Sequence, residues 1–322
     1  MAIRKLNLDV AANRGITGGW PADMTYTATD DGVAVQVEIT DAGKATDSIY
    51  KIIDPWGLAF VHEVQQITDK PLRVKFSLRV PATVKLGCKH EALKRRLSYL
   101  AASSGLDIEL DKDGEPDPLY SLEELFQRPE GECVRTTFVD RNGNDKPGRL
   151  EKDFQVYLFG PEIEDGQKTV RNNGRLAIFG DDFIRVGKVK NQKDQRGFNV
   201  QREFPTGAFA GEIREANRIL PTEFVDLVTV NRNREIAIIE LKFDDPKIEV
   251  LSQVLNYALF FKSYRAKLTP LLNEKLGIKG SNVEMVTYLV SNVFHNKFKT
   301  VWKYYTNGPL RLKRVVMGHM PD

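Results

Sequence analysis

Two short apolar runs carry charges where charges are expensive, and they constrain this chain more than anything else in it. Residues 224–230 read Phe-Val-Asp-Leu-Val-Thr-Val and residues 235–243 read Glu-Ile-Ala-Ile-Ile-Glu-Leu-Lys-Phe, with Asn231-Arg232-Asn233-Arg234 between them. Val- and Ile-rich runs around a polar turn read as a β-hairpin. Asp226, Glu240 and Lys242 lie inside these runs. A charge in a buried strand is costly unless it is paired or holds a metal. Side chains alternate faces, so Glu240 and Lys242 share one. Two carboxylates and a lysine on one face can hold a divalent cation and leave the lysine to reach a phosphate or an attacking water.

Register decides whether that site exists. Directly opposed residues of an antiparallel pair point to the same face. A regular four-residue loop, with Val230 opposite Glu235, sets Asp226 opposite Ile239 and separates the carboxylates. Pairing Asn231 with Glu235, or Val230 with Ile236, leaves an odd loop and sets Asp226 opposite Glu240. A bulge near Asp226 does the same. The expectation is therefore an odd loop or a bulge, with the two carboxylates within roughly 5 Å, able to share a cation whose oxygen ligands lie at about 2.1 Å.

Beyond the second run, Ile248, Leu251, Val254, Leu255, Ala258 and Leu259 recur at helical spacing, and Gln253 and Tyr257, four apart, share a face of that helix. Upstream, residues 149–159 read as a helix with Leu150, Phe154, Tyr157 and Leu158 as its apolar stripe, stopped by Gly160-Pro161. Glu151 stands near its start. The ordered set of Asp226, Glu240-Leu241-Lys242 and Gln253-x-x-x-Tyr257 resembles the PD-(D/E)xK nuclease superfamily. The Gln-x-x-x-Tyr helix is similar to that of the RecB-like branch. Leu150-Glu151-Lys-Asp-Phe-Gln155 and Glu203-Phe-Pro-Thr-Gly207 resemble segments of the Shedu-type defence nucleases. The resemblance covers roughly residues 150–262. Val225 replaces the proline of the family's name, and residues 208–223 form an insertion ahead of Asp226.

The resemblance implies an α/β (α+β) restriction-endonuclease-like fold, a mixed sheet flanked by helices. It also implies Mg²⁺- or Mn²⁺-dependent hydrolysis of DNA phosphodiester bonds, with antiphage defence as one setting. Asp226, Glu240 and the Leu241 carbonyl would hold the metal. Lys242 would orient the water or stabilise the phosphate, and Gln253 would position the water or a DNA phosphate. Glu151 is the candidate third carboxylate, with Glu212 and Glu215 in the insertion as rivals. The alternative is a catalytically silent nucleic-acid-binding or interaction protein on the same fold.

The remaining sequence gives the organisation. Residues 1–148 read as a β-rich N-terminal domain for recognition, regulation or assembly, with strands at Met24–Thr29, Gly32–Thr40, Leu58–Val64 and Leu72–Val80. A helix over Lys89–Ala102 places Leu93, Leu97 and Leu100 inward and His90, Lys94, Arg95 and Arg96 outward. The acidic stretch 107–117 reads as a solvated turn, too short for a calcium loop. Asn142–Gly148 is loop chemistry and marks the boundary of a nuclease domain over 149–322. Within it, Leu176–Val186 reads as a strand pair, Asn199–Phe204 and Asn282–Val293 as strands, and Gly211–Leu220 as a short helix.

The chain has 322 residues and a net charge of +3. Residues 262–322 hold eleven Lys or Arg against three acidic residues, a local net of +8, so residues 1–261 net −5. A basic segment beside carboxylates suits a polyanion. Lys297, Lys299 and Lys303, interleaved with Phe298, Trp302, Tyr304 and Tyr305, are expected to contact DNA together with Tyr257, although the aromatics equally suit a core. No run approaches the ~18 apolar residues of a membrane span, and the start of the chain lacks the apolar stretch of a leader. With only Cys88 and Cys133, reduced thiols in a cytoplasm are expected, and Cys88-Lys89-His90 lacks the second ligand pair of a zinc site. There is no Gly-x₄-Gly-Lys-Ser/Thr loop, so a motor, like the partner proteins of a defence system, would be a separate chain. A homo-oligomer is compatible with all of this.

Overall fold

The computed structural model describes residues 20–21, 23–29, 32–38, 45–66, 71–80, 87–127, 130–136, 150–159, 163–164, 167–168, 173–183, 199–278 and 283–317. The elements, in chain order, begin with β1 (Met24–Thr29), β2 (Gly32–Glu38), α1 (Ala45–Gln65), β3 (Arg73–Arg79), α2 (Gly87–Ser104), β4 (Asp107–Lys112), β5 (Glu115–Pro116), α3 (Leu122–Phe126) and β6 (Glu132–Val134). They continue with α4 (Leu150–Phe159), β7 (Ile163–Glu164), β8 (Gln167–Lys168), a 3₁₀ turn over Asn173–Phe179, β9 (Gln201–Pro205), β10 (Ala208–Ala210) and β11 (Arg218–Leu220). The last are β12 (Phe224–Val230), β13 (Ile236–Lys242), α5 (Val250–Ser263), α6 (Arg265–Leu276), β14 (Met285–Ser291), α7 (Phe298–Thr306) and β15 (Leu312–Val316).

The fold is mixed α/β. One five-stranded sheet has the order β1-β2-β3-β4-β5, and a second has the order β15-β14-β13-β12-β9. Parallel neighbours need a long crossover. The parallel pairs β2–β3 and β3–β4 are joined through α1 and α2. In the second sheet β13, β14 and β15 run parallel, while β12 is antiparallel to both β13 and β9. A three-stranded sheet, β11-β10-β6, and the small β7–β8 hairpin complete the set.

The two halves share a core. The largest apolar cluster joins Val35, Phe60, Phe76, Leu97 and Leu110 to Leu251, Leu255, Val301 and Tyr305. The boundary expected at 148 falls outside the described residues; among those described, the apolar packing of the two halves is continuous. The N-terminal half is not simply β-rich. Residues 58–64, read as a strand, belong to α1. Leu58, Ala59, Phe60, Val61 and Val64 are all buried, and so short a run, broken only by His62 and Glu63, carries too few positions for its period to separate strand from helix.

Two further local readings change. Residues 176–179 form part of the 3₁₀ turn rather than a strand, the rest of that expected pair being largely outside the described residues. Residues 211–220 form bends, a single 3₁₀ turn and the short β11 instead of a helix. The extension of β2 to Thr40, the turn at Asp30-Asp31 and the loop 142–148 lie outside the described residues.

Helix α2 falls where expected, but its basic face does not point outward throughout. His90 and Lys94 both pair with Asp117, at 2.5 and 2.6 Å. Arg95 and Arg96 are buried. Arg96 lies three residues from Leu93 and four from Leu100, on the apolar face, and its side chain is 1% exposed against 0% for its partner Asp54. Arg96 Nε donates to Asp54 Oδ1 at 3.0 Å and Nη1 to Asn256 at 3.0 Å. Asp54 also accepts from Ser252 of α5 at 3.0 Å and from Tyr305 of α7 at 2.7 Å. This buried network ties α1 and α2 to α5 and α7.

Removing one partner of such a pair strands the other in the core. Asp54→Ala is expected to destabilise the whole protein by about 3–5 kcal/mol, read as a lowered denaturant midpoint of a single transition. The isolated fragment 149–322 should show no cooperative unfolding, because α5 and α7 lose the surface that covers them. A cooperative transition from that fragment would contradict the shared core.

Candidate active site

Alternation along β13 sorts its residues into two layers. Ile236 and Ile238 pack with Tyr257, Phe260 and Leu268 of α5 and α6. Ala237, Ile239 and Leu241 pack on the other side with Phe154 and Leu158 of α4 and with Tyr288. Glu240 continues the row of Ile236 and Ile238. In the hairpin Val230 pairs with Ile236 and Leu227 with Ile239, the odd register with five connecting residues. The ladder ends at Leu227, one residue short of Asp226, and Val225 packs in the layer of Val228 and Val230 rather than with Leu227, so β12 is irregular at Asp226. Asn231 holds this turn, its Oδ1 accepting from the amides of Asn233 and Glu235, both at 3.0 Å, as Asn does when it closes a turn on its own backbone.

The other neighbour of β12 is irregular at the same level. Val225 pairs with Phe204 and Leu227 with Arg202, while the Asp226–Glu203 pair between them is missing from the ladder. Glu203 has φ of 53°, in the left-handed region that a bulky residue rarely adopts. Backbone strain thus sits directly beside Asp226.

The side chains converge. Asp226 Oδ2 accepts the Leu241 amide at 2.7 Å, and the carboxyls of Asp226 and Glu240 lie close enough to feel each other's charge. Lys242 Nζ lies 2.9 Å from Glu240 Oε1, 3.2 Å from Glu151 Oε1 and 3.0 Å from the Leu241 carbonyl. Glu240 is 1% exposed, Lys242 18% and Glu151 34%, so the cluster opens to solvent at Glu151. Glu151 comes from α4, and one turn later Gln155 donates to the Asp226 carbonyl at 2.9 Å and to Asp226 Oδ1 at 3.2 Å.

Burial pushes Asp226 up to about 6, against the pull of the Lys242 charge and the Leu241 amide. Burial, and then the Asp226 charge, raise Glu240 well above the ordinary carboxylate range. Burial pulls Lys242 down, but the carboxylates of Glu240, Asp226 and Glu151 outweigh it and hold the ammonium above the ordinary lysine range.

A divalent cation can be tested against this arrangement. Among the described residues no three His, Cys, Asp or Glu side chains are gathered so as to hold a metal by themselves. The oxygens on offer are two carboxylates and one main-chain carbonyl, with Glu151 across the Lys242 ammonium. Glu240 Oε2 and Gln155 Oε1 are buried without a hydrogen-bond partner. A buried acceptor with no donor is costly, and an oxygen-only set is the chemistry of Mg²⁺ and Mn²⁺. The Lys242 ammonium bridges three of the four expected ligands. The residues fit a hard cation that takes the place of this ammonium.

The other expected site residues divide. Gln253 donates to the Tyr257 hydroxyl at 2.7 Å, which donates to the Phe224 carbonyl at 3.0 Å. This pair braces the start of β12, two residues before Asp226. Tyr257 is fully buried, so it is not a nucleic-acid contact. Glu212 and Glu215 are exposed and pair with Arg214 and Arg218, which leaves Glu151 as the third carboxylate. Lys297 pairs with Glu63 at 2.7 Å and lies over the Trp20 ring, so it is engaged inside the protein. Lys299 and Lys303 are exposed. Phe298, Tyr304 and Tyr305 belong to the core rather than to a stacking surface. His295 is buried beside Trp56; His319 lies outside the described residues. Gln155 was not singled out from the sequence, although it stands four residues from Glu151 and so on the same helical face.

No helix among the described residues is long and apolar enough to cross a membrane. Comparison of the chain with protein-family models, curated proteins and solved structures finds no match. The arrangement of these side chains, and not kinship, is what carries a functional reading.

The raised carboxyls have a signature. Folded Asp226 keeps its proton up to about pH 6, against about 3.9 for an unfolded chain. The folded state binds more protons in this window, so the group's contribution to stability is present at the acidic end and lost as pH rises through about 6. The denaturation midpoint of the wild type should fall more steeply between about pH 4 and pH 6 than that of Asp226→Asn. Parallel profiles would show that Asp226 is not held protonated.

Proposed function

We propose that this chain is a Mg²⁺- or Mn²⁺-dependent nuclease that hydrolyses DNA phosphodiester bonds, on the pattern of the PD-(D/E)xK superfamily. The observation that carries the reading is one ammonium facing three carboxylates. A structural ion pair needs one carboxylate per lysine. Here Asp226, Glu240 and Glu151 surround Lys242, and Glu240 keeps a buried oxygen with no partner. Such an excess of buried acceptors is offset by a retained proton, as the raised Asp226 and Glu240 carboxyls indicate, or by a second cation.

In this reading Asp226, Glu240, Glu151 and the Leu241 carbonyl hold the cation. A cation held there would supply an acidified water and offset charge building on the phosphate. Lys242, displaced from the carboxylates, turns to the scissile phosphate, where a charged donor stabilises developing negative charge. Gln253 and Tyr257 keep the start of β12 in place. DNA as the substrate rests on the resemblance and on the excess of basic residues over 262–322, with exposed Lys299 and Lys303 as phosphate contacts. Antiphage defence, with a homo-oligomer and partner proteins, is the setting the same resemblance favours.

The test is incubation with linear, circular and single-stranded DNA, with and without Mg²⁺ or Mn²⁺. Cleavage should require the cation. Lys242→Met should lower the rate by at least about 100-fold and, with no ammonium beside Glu240, should unfold at lower temperature unless Mn²⁺ is added. Absence of cleavage with every DNA and cation would favour a silent nucleic-acid-binding fold. Full activity in Lys242→Met would remove the lysine from the chemistry.

A further inference from the structure

We propose that Gln155 is a positioning residue of the cation site, setting the Asp226 carboxylate for its ligand and accepting, through Oε1, a water of the cation's shell. The inference rests on the reading of Asp226 and Glu240 as cation ligands and adds a member that neither the charged motif nor the Gln-x-x-x-Tyr helix contains.

Three observations support it. The first is the hydrogen bonding of the amide. Gln155 is 1% exposed, and its Nε2 faces two acceptors of one residue, the Asp226 carbonyl at 2.9 Å and Oδ1 at 3.2 Å. The flipped amide would set an oxygen against both, so the partners fix which end is nitrogen. Oε1 is then left buried without a partner. A buried amide oxygen with no donor is rare in a folded protein, and a water on a nearby cation is the donor that such an oxygen lacks.

The second is where the bond falls. The ladder between β9 and β12 omits the Asp226–Glu203 pair. At that gap α4 makes the contacts instead: Gln155 holds Asp226, and Lys152 pairs with Glu203. With the Leu241 amide on Oδ2 and Gln155 on Oδ1, both carboxylate oxygens of Asp226 are oriented by fixed donors. A neutral amide does this without adding a positive charge that would repel a divalent cation.

The third is that the helix does not depend on the amide for its own place. Phe154 and Leu158 of α4 are buried with Leu227, Ile239 and Leu241. Losing the Gln155 amide should therefore affect the carboxylate more than the docking of the helix. Partners that orient metal ligands typically change affinity by about 10–100-fold when removed.

The experiment is Mn²⁺ titration of the full chain by calorimetry or electron paramagnetic resonance, with thermal unfolding of the metal-free protein alongside. Gln155→Leu should unfold near the wild-type temperature without metal and bind Mn²⁺ with a Kd raised about 10–100-fold. DNA cleavage should weaken at limiting Mn²⁺ and recover at saturating Mn²⁺, a split that a merely structural residue would not produce. If Gln155→Leu does not fold, Gln155→Asn, which keeps the amide but shortens its reach, decides in the same way. Wild-type Mn²⁺ affinity in a folded variant overturns the inference, and so does loss of folding in both. Wild-type protein that takes up no Mn²⁺ sinks the reading of the site itself, an outcome distinct from wild-type binding that the variants leave unchanged.

Discussion

Asp226 and Glu240 are buried side by side on one face of a hairpin, and two buried carboxyls in contact cannot both ionise without a cation between or beside them. In this structure the cation is the Lys242 ammonium, which reaches Glu240, Glu151 and the Leu241 carbonyl from the end of the same strand. Lys242 lies two residues from Glu240 and so on its face. The loop from Asn231 to Glu235 sets the register of the hairpin, and an irregularity of β12 at Asp226 adjusts it there. Helix α4 closes the remaining side with Glu151 and Gln155.

The rest of the fold supports the hairpin from behind. Helix α5 lies against β13, and its Tyr257 hydroxyl holds the Phe224 carbonyl at the start of β12. The same helix meets the N-terminal half through Ser252, which donates to Asp54, and Asn256, which accepts from Arg96. Asn256 also donates to Glu223, the residue before Phe224. A continuous set of hydrogen bonds thus runs from the buried Asp54–Arg96 pair to the strand that carries Asp226. The helices α1 and α2 of the N-terminal half therefore belong to the framework of the site.

The part of the site legible in the sequence was the part written in charge. Asp226, Glu240 and Lys242 stood out because charged residues in Val- and Ile-rich strands need a partner, and the pleat alone required an odd loop or a bulge. Glu151 came from the resemblance. Gln155 carries no charge, and its importance lies in an oxygen left without a donor, which only coordinates reveal. Arg96 was read outward because polarity outweighed its position on the apolar face of α2. Lys297 was assigned to DNA because spacing cannot show that Glu63, far away in the chain, claims its charge. Residues 58–64 and 211–220 were misread for opposite reasons. The first run is too short, with only His62 and Glu63 polar, to show a period. In the second, helix-forming residues are overridden by the pairing of β11 with β10.

The claim at the centre of this account is that a divalent cation takes the place of the Lys242 ammonium beside Glu240 and the Leu241 carbonyl. The most direct measurement is a crystal structure of the protein soaked in Mn²⁺, with anomalous scattering to locate the metal. The account predicts an anomalous peak bounded by the Asp226 and Glu240 carboxylates and the Leu241 carbonyl, with Lys242 Nζ moved off Glu240. Crystals rich in Mn²⁺ that show no peak there, and Lys242 still bridging Glu240, Glu151 and Leu241, would contradict it.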